Sequence, residues 1–252
     1  MRLRSLPFVG LTAVTLAAAL VGCSSNGQAL TVGKAPKATE AAVAPVDSSK
    51  QVLTKTQVKA ALPRASDLGK KWTTGSVGSS TTSPTKEDGT YSPEKCAFSS
   101  STGQLKGLKV ATGKPLVKSK ASFKTKGSAG LSFDGSVVQI ESFKDQIDSS
   151  AFSKISDVLA ACKKFTYTDG SGVTSDFRIL PLSLPKYGDQ TLAFRMQASV
   201  SMFVIVIDVV EVANGHNLVS IYQAGLGGLD TKATGKAVKA TMRKLDEATK
   251  GA

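Results

Sequence analysis

Residues 203–222 constrain the fold more than any other part of the chain. Residues 203–212 are apolar at nearly every position, Asn214-Gly215 is the strongest short hairpin signal in the sequence, and residues 218–222 return from it. A run that is apolar at both parities describes a strand buried on both faces. Val204, Val206, Val210 and Val212 point one way, and Phe203, Ile205, Ile207 and Val209 point the other. One face is expected to pack the long helices. The opposite face needs its own cover, either another helix with loops or an apolar cavity that holds a ligand. A two-residue turn at Asn214-Gly215 sets Val210 opposite Val219 and Asp208 opposite Ile221. Asp208 interrupts the valine face, and a buried carboxylate needs a partner. Arg195 on the preceding strand is the candidate if the register sets the two opposite, either as a ligand-orienting pair or as a structural bridge.

Elsewhere the punctuation is plain. Thr54 caps a short helix running to Leu62, where Pro63 stops it. Leu68 and Trp72 follow as an apolar landing, and residues 75–94 form a long loop rich in Ser, Thr, Gly and Pro. Phe152, Ile155, Val158, Leu159 and Cys162 recur at helical spacing behind a cap at Asp148 or Ser149. A second long helix covers about residues 230–248, with Val238, Thr241, Met242 and Leu245 as its stripe. Residues 117–125, 137–143, 165–168, 177–180 and 192–198 supply further strands. Strands in succession with few helices between them predict an α+β fold. It is an antiparallel β-sheet with two long helices and a short N-terminal helix packed on it. With ten Phe, four Tyr and one Trp in 252 residues, aliphatic side chains must build most of its core.

The N-terminus gives an address. Arg2 and Arg4 precede an apolar run from Phe8 to Leu20, and Gly22 is the small residue expected before a cleavage point. Leu20-Val21-Gly22-Cys23, followed by Ser24-Ser25, resembles a bacterial lipobox. The resemblance implies that Cys23 receives a diacylglyceryl group, becomes the first residue of the mature protein and is then N-acylated. Two or three acyl chains hold a protein firmly, whereas one binds reversibly. The apolar run is too short for a membrane-spanning helix, which needs roughly 20 residues. The expected organisation is a signal peptide over 1–22, a lipidated Cys23 with a flexible tether over 23–50, and one extracytoplasmic domain over 51–252, held at the outer face of the cell membrane.

Charge and cysteines narrow the chemistry further. A formal charge of +13 on an exported chain suggests anionic neighbours, either an acidic envelope polymer or lipid headgroups, and no nucleic-acid-binding motif is present. Lys118, Lys120, Lys124 and Lys126 alternate with Val117, Ala121, Phe123 and Thr125. Period two sends all four lysines to one face over about 27 Å. That stripe suits an anionic surface, and equally the solvated face of an outer strand. With Cys23 assigned to lipid, Cys96 and Cys162 most simply form a disulfide, for which loop closure allows about 4 kcal/mol. A redox-active pair would prefer Cys-x-x-Cys spacing.

Enzyme signatures are missing. His216, beside the hairpin turn, suits a solvated loop better than a general base, and no Gly-x-Ser-x-Gly elbow occurs. Residues 107–114 depart from a phosphate loop by one residue in spacing, and Pro115 stands where a hydroxyl is needed. One His and two Cys cannot furnish a zinc site, so neither metal nor cofactor is expected.

The order of short motifs carries a wider resemblance. It runs from the lipobox and tether through Leu68-Gly69…Trp72 to a cysteine after a Ser/Thr loop. It continues with Phe143…Ala151, a helix ending Leu159-Ala160-Ala161-Cys162, the Gly188-Asp189 turn and the valine-rich hairpin. Over about residues 51–250 this resembles actinobacterial sensor-domain lipoproteins similar to the extracellular domain of PknH-type receptor kinases. The resemblance implies an antiparallel sheet with helices around a polar-and-apolar cleft that senses an extracellular ligand. That domain carries two disulfides, whereas this chain has cysteines for one and no kinase region, and no ligand-binding residue carries over. The expected function is therefore a lipid-anchored, non-enzymatic binding or sensor-like domain of the cell envelope. The alternatives are a lipid or glycolipid carrier with an apolar cavity and a module that binds another envelope protein. Replacing Cys23 by Ala is expected to release the protein from the membrane or leave it unprocessed. Membrane fractionation checks this, and an unchanged distribution would sink the lipobox assignment.

Overall fold

Thr54 starts the ordered architecture as its sequence context predicts. Its hydroxyl accepts the Gln57 N–H at 3.3 Å, and the Gln57 side-chain oxygen accepts the Thr54 N–H at 2.9 Å. This capping box opens helix α1 (Lys55–Ala60), which ends ahead of Pro63 and buries Val58 completely. The computed structural model describes residues 50–75, 89–97, 113–125, 135–200 and 203–250. The segments expected as signal peptide (1–22) and, except for Lys50, as lipidated Cys23 and tether (23–50) lie outside these residues, as does Lys126. A one-turn helix α2 (Ala65–Leu68) follows α1, and both Leu68 and Trp72 are buried.

The strands are β1 (Trp72–Thr74), β2 (Thr90–Ser92), β3 (Val117–Thr125), β4 (Gly135–Ser142), β5 (Lys164–Thr168), β6 (Thr174–Pro181), β7 (Gln190–Val200), β8 (Phe203–Asn214) and β9 (Asn217–Leu226). Among the described residues they form one antiparallel sheet in the order β1-β3-β4-β9-β8-β7-β6-β5-β2. The two edge strands have three residues each, which leaves little exposed backbone for mispairing. Both edges were unexpected, and β2 falls within the stretch read as loop. It is ordered by antiparallel pairing with β5 and by packing of Tyr91 against Phe165 and Tyr167.

Helix α3 (Ser149–Ala161), capped by the Asp148 carboxylate, lies on one face, and α4 (Thr231–Lys250) lies on the other. The core accordingly splits in two. Phe152, Ile155 and Leu159 of α3 pack with Phe194, Val209 and Leu218. Val238 and Leu245 of α4, with Val58 of α1, pack with Val210, Val212, Val219 and Ile221. The sequence-based expectation that one face receives the long helices is therefore corrected: each face receives one. A strand apolar at both parities demands this, because a helix covers only one side of a sheet.

The register of the β8–β9 hairpin also differs from expectation. Val210 pairs with Ile221, Val212 with Val219 and Asp208 with Gln223, because the turn is Gly215-His216 rather than Asn214-Gly215. Asn214 stays in the strand, opposite Asn217. The turn is held there from outside, since Asp189 Oδ2 accepts the Gly215 N–H at 2.7 Å and the Lys50 carbonyl accepts the His216 N–H at 3.0 Å. Gly215 has φ of 60°, and a Cβ there would collide with the Lys50 backbone, so only glycine fits. The displacement moves each partner by two residues, an even number, so every side chain keeps its face. His216 is half-buried rather than solvated, with Nδ1 3.3 Å from the Phe143 carbonyl.

A disulfide joins Cys96, at the end of a 3-10 turn (Glu94–Cys96), to Cys162 at the C-cap of α3, with Cα atoms 5.6 Å apart. Both cysteines are buried in the α3 core. The bridge closes a separation of 66 residues. Its removal in a Cys96→Ala/Cys162→Ala variant is expected to lower the unfolding free energy by about 2–4 kcal/mol. Urea denaturation measures this, and an unchanged midpoint would show that the bridge adds nothing to stability.

Candidate functional site

Local strand lengths open a groove under α3. Strand β5 begins at Lys164, opposite Arg178, and Ile179 still donates its N–H to the Lys163 carbonyl at 3.0 Å, so Leu180 and Pro181 of β6 run on beyond the end of β5. Pro181 lacks an N–H, which makes an unpaired edge cheaper there. The C-terminal half of α3 bridges this gap, leaving a cavity of about 580 Å³ lined by Leu159, Ala160, Ile179, Pro181, Leu192 and Phe194. Lys163, Lys164 and Arg178 also border it. A second compartment of about 840 Å³ adjoins it between α3 and the β6–β7 connection, bordered by Phe152, Asp157, Leu184, Lys186 and Asp189. Ser156, Leu192 and Ala193 line both compartments and make the junction between them.

Asp189 fixes one wall of the larger compartment. Lys50 Nζ approaches its Oδ1 at 2.6 Å while Oδ2 takes the Gly215 N–H. Burial pushes this carboxyl up, but the two donors outweigh it and hold it below the ordinary carboxylate value. Gly188 before it has φ of 56°, and a Cβ there would meet the Ala213 carbonyl at 2.5 Å. The β6–β7 connection is thus clamped to the β8–β9 hairpin.

Arg195 and Asp208 stand directly opposite each other on β7 and β8. Arg195 Nε and Nη2 donate to the two Asp208 oxygens at 2.6 and 3.0 Å, and Nη2 also reaches the Leu229 carbonyl at 3.0 Å. Thr234 Oγ1 lies 2.6 Å from Asp208 Oδ2 and 2.7 Å from Gln223 Oε1. Asp208 is fully buried and both its oxygens are engaged. The arrangement fastens the first turn of α4 to the sheet and leaves the carboxylate no free position for a ligand.

The lysines of β3 lie on the α3 side of the sheet. Lys118, Lys120 and Lys124 are exposed, and Lys118 Nζ is 3.2 Å from Glu141 Oε1. They rim a polar patch that sequence reasoning did not single out. Leu192, Glu211, Ser220, Gln139 and Lys120 form one cross-strand row from β7 to β3. Glu211 is 1% exposed, and its oxygens accept from Ser220 Oγ at 2.5 Å and Tyr222 Oη at 2.8 Å. Gln139 is also buried, and its Nε2 has no hydrogen-bond partner among the described residues. The signal available in the sequence was Glu211 itself, an acid within Val209-Val210-Glu211-Val212.

Burial pushes the Glu211 carboxyl up to about 8, with the nearby Glu141 charge acting in the same direction, against the pull of its two hydroxyl partners. Burial likewise raises the Tyr222 phenol. Unfolded, a Glu releases its proton near its ordinary value of 4.5, whereas folded Glu211 keeps it to about 8. The unfolded state then binds fewer protons across that window. Stability from this group is full below the lower value and falls as pH rises toward the upper one, by up to about 1.4 kcal/mol per pH unit. A Glu211→Gln variant is expected to flatten that slope. Urea unfolding at about pH 5.5 and 7.5 checks it, and an identical slope in the variant would exclude Glu211 as its source.

Among the described residues, no group of three or more His, Cys, Asp or Glu side chains is placed to hold a metal ion, and no helix is long and apolar enough to cross a membrane. No protein-family model matches the chain, and no curated protein matches it in sequence. Solved structures do. The chain is similar to the extracellular domain of PknH from Mycobacterium tuberculosis with a TM-score of 0.54 and 14% identity, over 79% of this chain and 99% of that one. A putative uncharacterized protein from Mycobacterium smegmatis, described as the Rv0999 ortholog, matches with a TM-score of 0.35 and 13% identity, over 62% of this chain and 78% of its own. The first likeness establishes a shared fold.

Proposed function

We propose that this chain is a lipid-anchored, extracytoplasmic binding domain of sensor type that takes a ligand in the groove between α3 and the β6–β7 strands and performs no catalysis. The observation that carries the reading is the pair of adjoining compartments, of about 580 and 840 Å³, where β5 stops short of the end of β6. Cavities of several hundred cubic ångströms lined by apolar side chains with a few polar groups are the usual form of small-molecule sites. The groups at hand suit binding better than reaction chemistry. Asp189 is occupied by Lys50 and Gly215, and half-buried His216 sits at the Phe143 carbonyl. The fold shared with an extracellular domain, together with the N-terminal Leu20-Val21-Gly22-Cys23, supports a location at the outer membrane face with Cys23 as the anchor.

The apolar lining of the smaller compartment favours a second reading, a carrier of lipid or glycolipid. The size of the compartments argues for one small ligand over a bulky multi-chain cargo. Native mass spectrometry of the full chain carrying Cys23→Ser, before and after solvent extraction, tests the binding reading. A stoichiometric extra mass that extraction removes is the expected outcome. A clean apo mass, with no mass regained on incubation with an envelope extract, would move the function to protein–protein contact.

A further inference from the structure

On the face of the sheet opposite α3, the core built with α1 and α4 draws its strand residues mainly from β3, β4, β9 and β8. Further out, on β2, β5 and β6 and the last part of β7, that face turns polar. Phe165 and Phe177 turn to the α3 core, so alternation sends Lys164, Thr166, Asp176 and Arg178 to the other side. Lys164 and Arg178 make one cross-strand rung there, and Ser92, Thr166, Asp176 and Ser199 make the next row across β2, β5, β6 and β7. A cavity of about 470 Å³ is lined by all six. We propose that this cavity is a second binding site, on the other side of the sheet from the groove, and that it takes the phosphate monoester of a small polyol or sugar. The phosphate sits between Lys164 and Arg178, and the ligand hydroxyls meet Asp176 and the three hydroxyl side chains.

The two cations are placed where a sheet on its own would avoid them. Lys164 and Arg178 are directly opposed on neighbouring antiparallel strands, an arrangement of like charges that destabilises the pairing. Both are exposed, and among the described residues neither has a carboxylate within 4.0 Å. The acids around them stand off. Asp176 is one row along, opposite Thr166, and Glu94 belongs to the 3-10 turn that follows Ser92. A dianion between the cations removes the repulsion. A phosphate monoester carries close to two negative charges at neutral pH and accepts both the planar guanidinium fork and the ammonium point charge. A carboxylate brings one charge and leaves the second cation uncompensated. The next row lies roughly 7 Å along the strands and contains no cation. Its carboxylate and hydroxyls accept from and donate to alcohols, and its charge repels a second anion. With the Phe165 and Phe177 rings turned away, no aromatic face in the cavity stacks on a sugar, so the cation pair carries the affinity and the second row the selectivity.

Calorimetric titration of the full chain carrying Cys23→Ser tests this, with glycerol phosphate and glucose phosphorylated at its primary hydroxyl as probes. Glycerol, glucose and inorganic phosphate are the comparisons. At least one ester is expected to bind about tenfold or more tightly than both its parent alcohol and inorganic phosphate, with an affinity that falls severalfold as salt is raised. A Lys164→Gln/Arg178→Gln variant is expected to weaken ester binding by at least about tenfold. Asp176→Asn is expected to erase most of the advantage over inorganic phosphate while inorganic phosphate itself binds as well or better. Ala160→Trp, which fills the groove on the other face, is expected to leave ester binding unchanged, so the groove and this cavity fail separately. Lys164→Gln alone is expected to raise the urea midpoint of the unliganded protein, because it removes the opposed charge. Esters that bind no better than inorganic phosphate would reduce the cavity to a bare anion patch and overturn the proposal. Undiminished ester binding in the double variant, or unchanged selectivity in Asp176→Asn, would do the same. If the double variant fails to fold, the salt series and the ester-to-phosphate comparison on the unsubstituted side chains decide the matter.

Discussion

Double-sided burial of β8 is the constraint on which the other elements depend. Val209 faces the α3 core and Val210 the α4 core, so neither helix can be omitted without exposing half of the central strand. Each fully buried Val or Ile contributes roughly 1.5–3 kcal/mol relative to an exposed one. Strand β9 shares the two-sided burial, whereas β7 buries Phe194 and Ala198 on the α3 side only, and the sheet spreads outward until its edges are three-residue strands. The α3 and α4 stripes are narrower than the sheet they cover. Polar residues are nonetheless buried on both faces.

Two of those polar residues, Asp208 and Glu211, sit three positions apart on the same strand and so on opposite faces. The chain resolves the two burials by opposite physics. Asp208 receives a guanidinium and a hydroxyl, and the ion pair is matched oxygen by oxygen. Glu211 receives only hydroxyls and keeps its proton instead. Either solution makes the register costly to change. A one-residue slip would carry each carboxyl to the face that holds the other's partners.

Much of this was legible in the sequence because it depended on periodicity. The α3 stripe, the apolar parity of residues 203–212 and the Thr54 cap are local patterns that packing then followed. The turn at Gly215-His216 was misplaced by one residue because its position is set by Asp189 and Lys50, which are distant in sequence. Strand β2 was hidden for the same reason, being three residues held by a partner more than seventy positions away. A cavity was foreseen only as one way of covering a face of residues 203–212 and as an implication of the resemblance, and the place of the groove was not legible. It arises from where β5 begins relative to β6, and no residue type announces an offset between strands. The resemblance to a sensor-type domain, by contrast, rested on the order of short motifs, and the fold shared with the PknH extracellular domain agrees with it.

The Cys96–Cys162 bond has a consequence that goes beyond its effect on chain entropy. Strand β2 lies at one margin of the sheet, and the chain that leaves it next enters β3 near the opposite margin. After β4 it returns in α3, which ends at the bridge. The disulfide therefore closes a covalent belt that runs from β2 at one margin to β3, one strand short of the other margin, a width of roughly 34 Å at about 4.8 Å per strand. The hairpin β8–β9 lies between the belt's two ends without being part of it. A force that pulls β2 and β3 apart loads covalent bonds once the belt is taut, whereas a force on β8–β9 alone meets only hydrogen bonds and packing. The direction of pull thus decides which of the two resists.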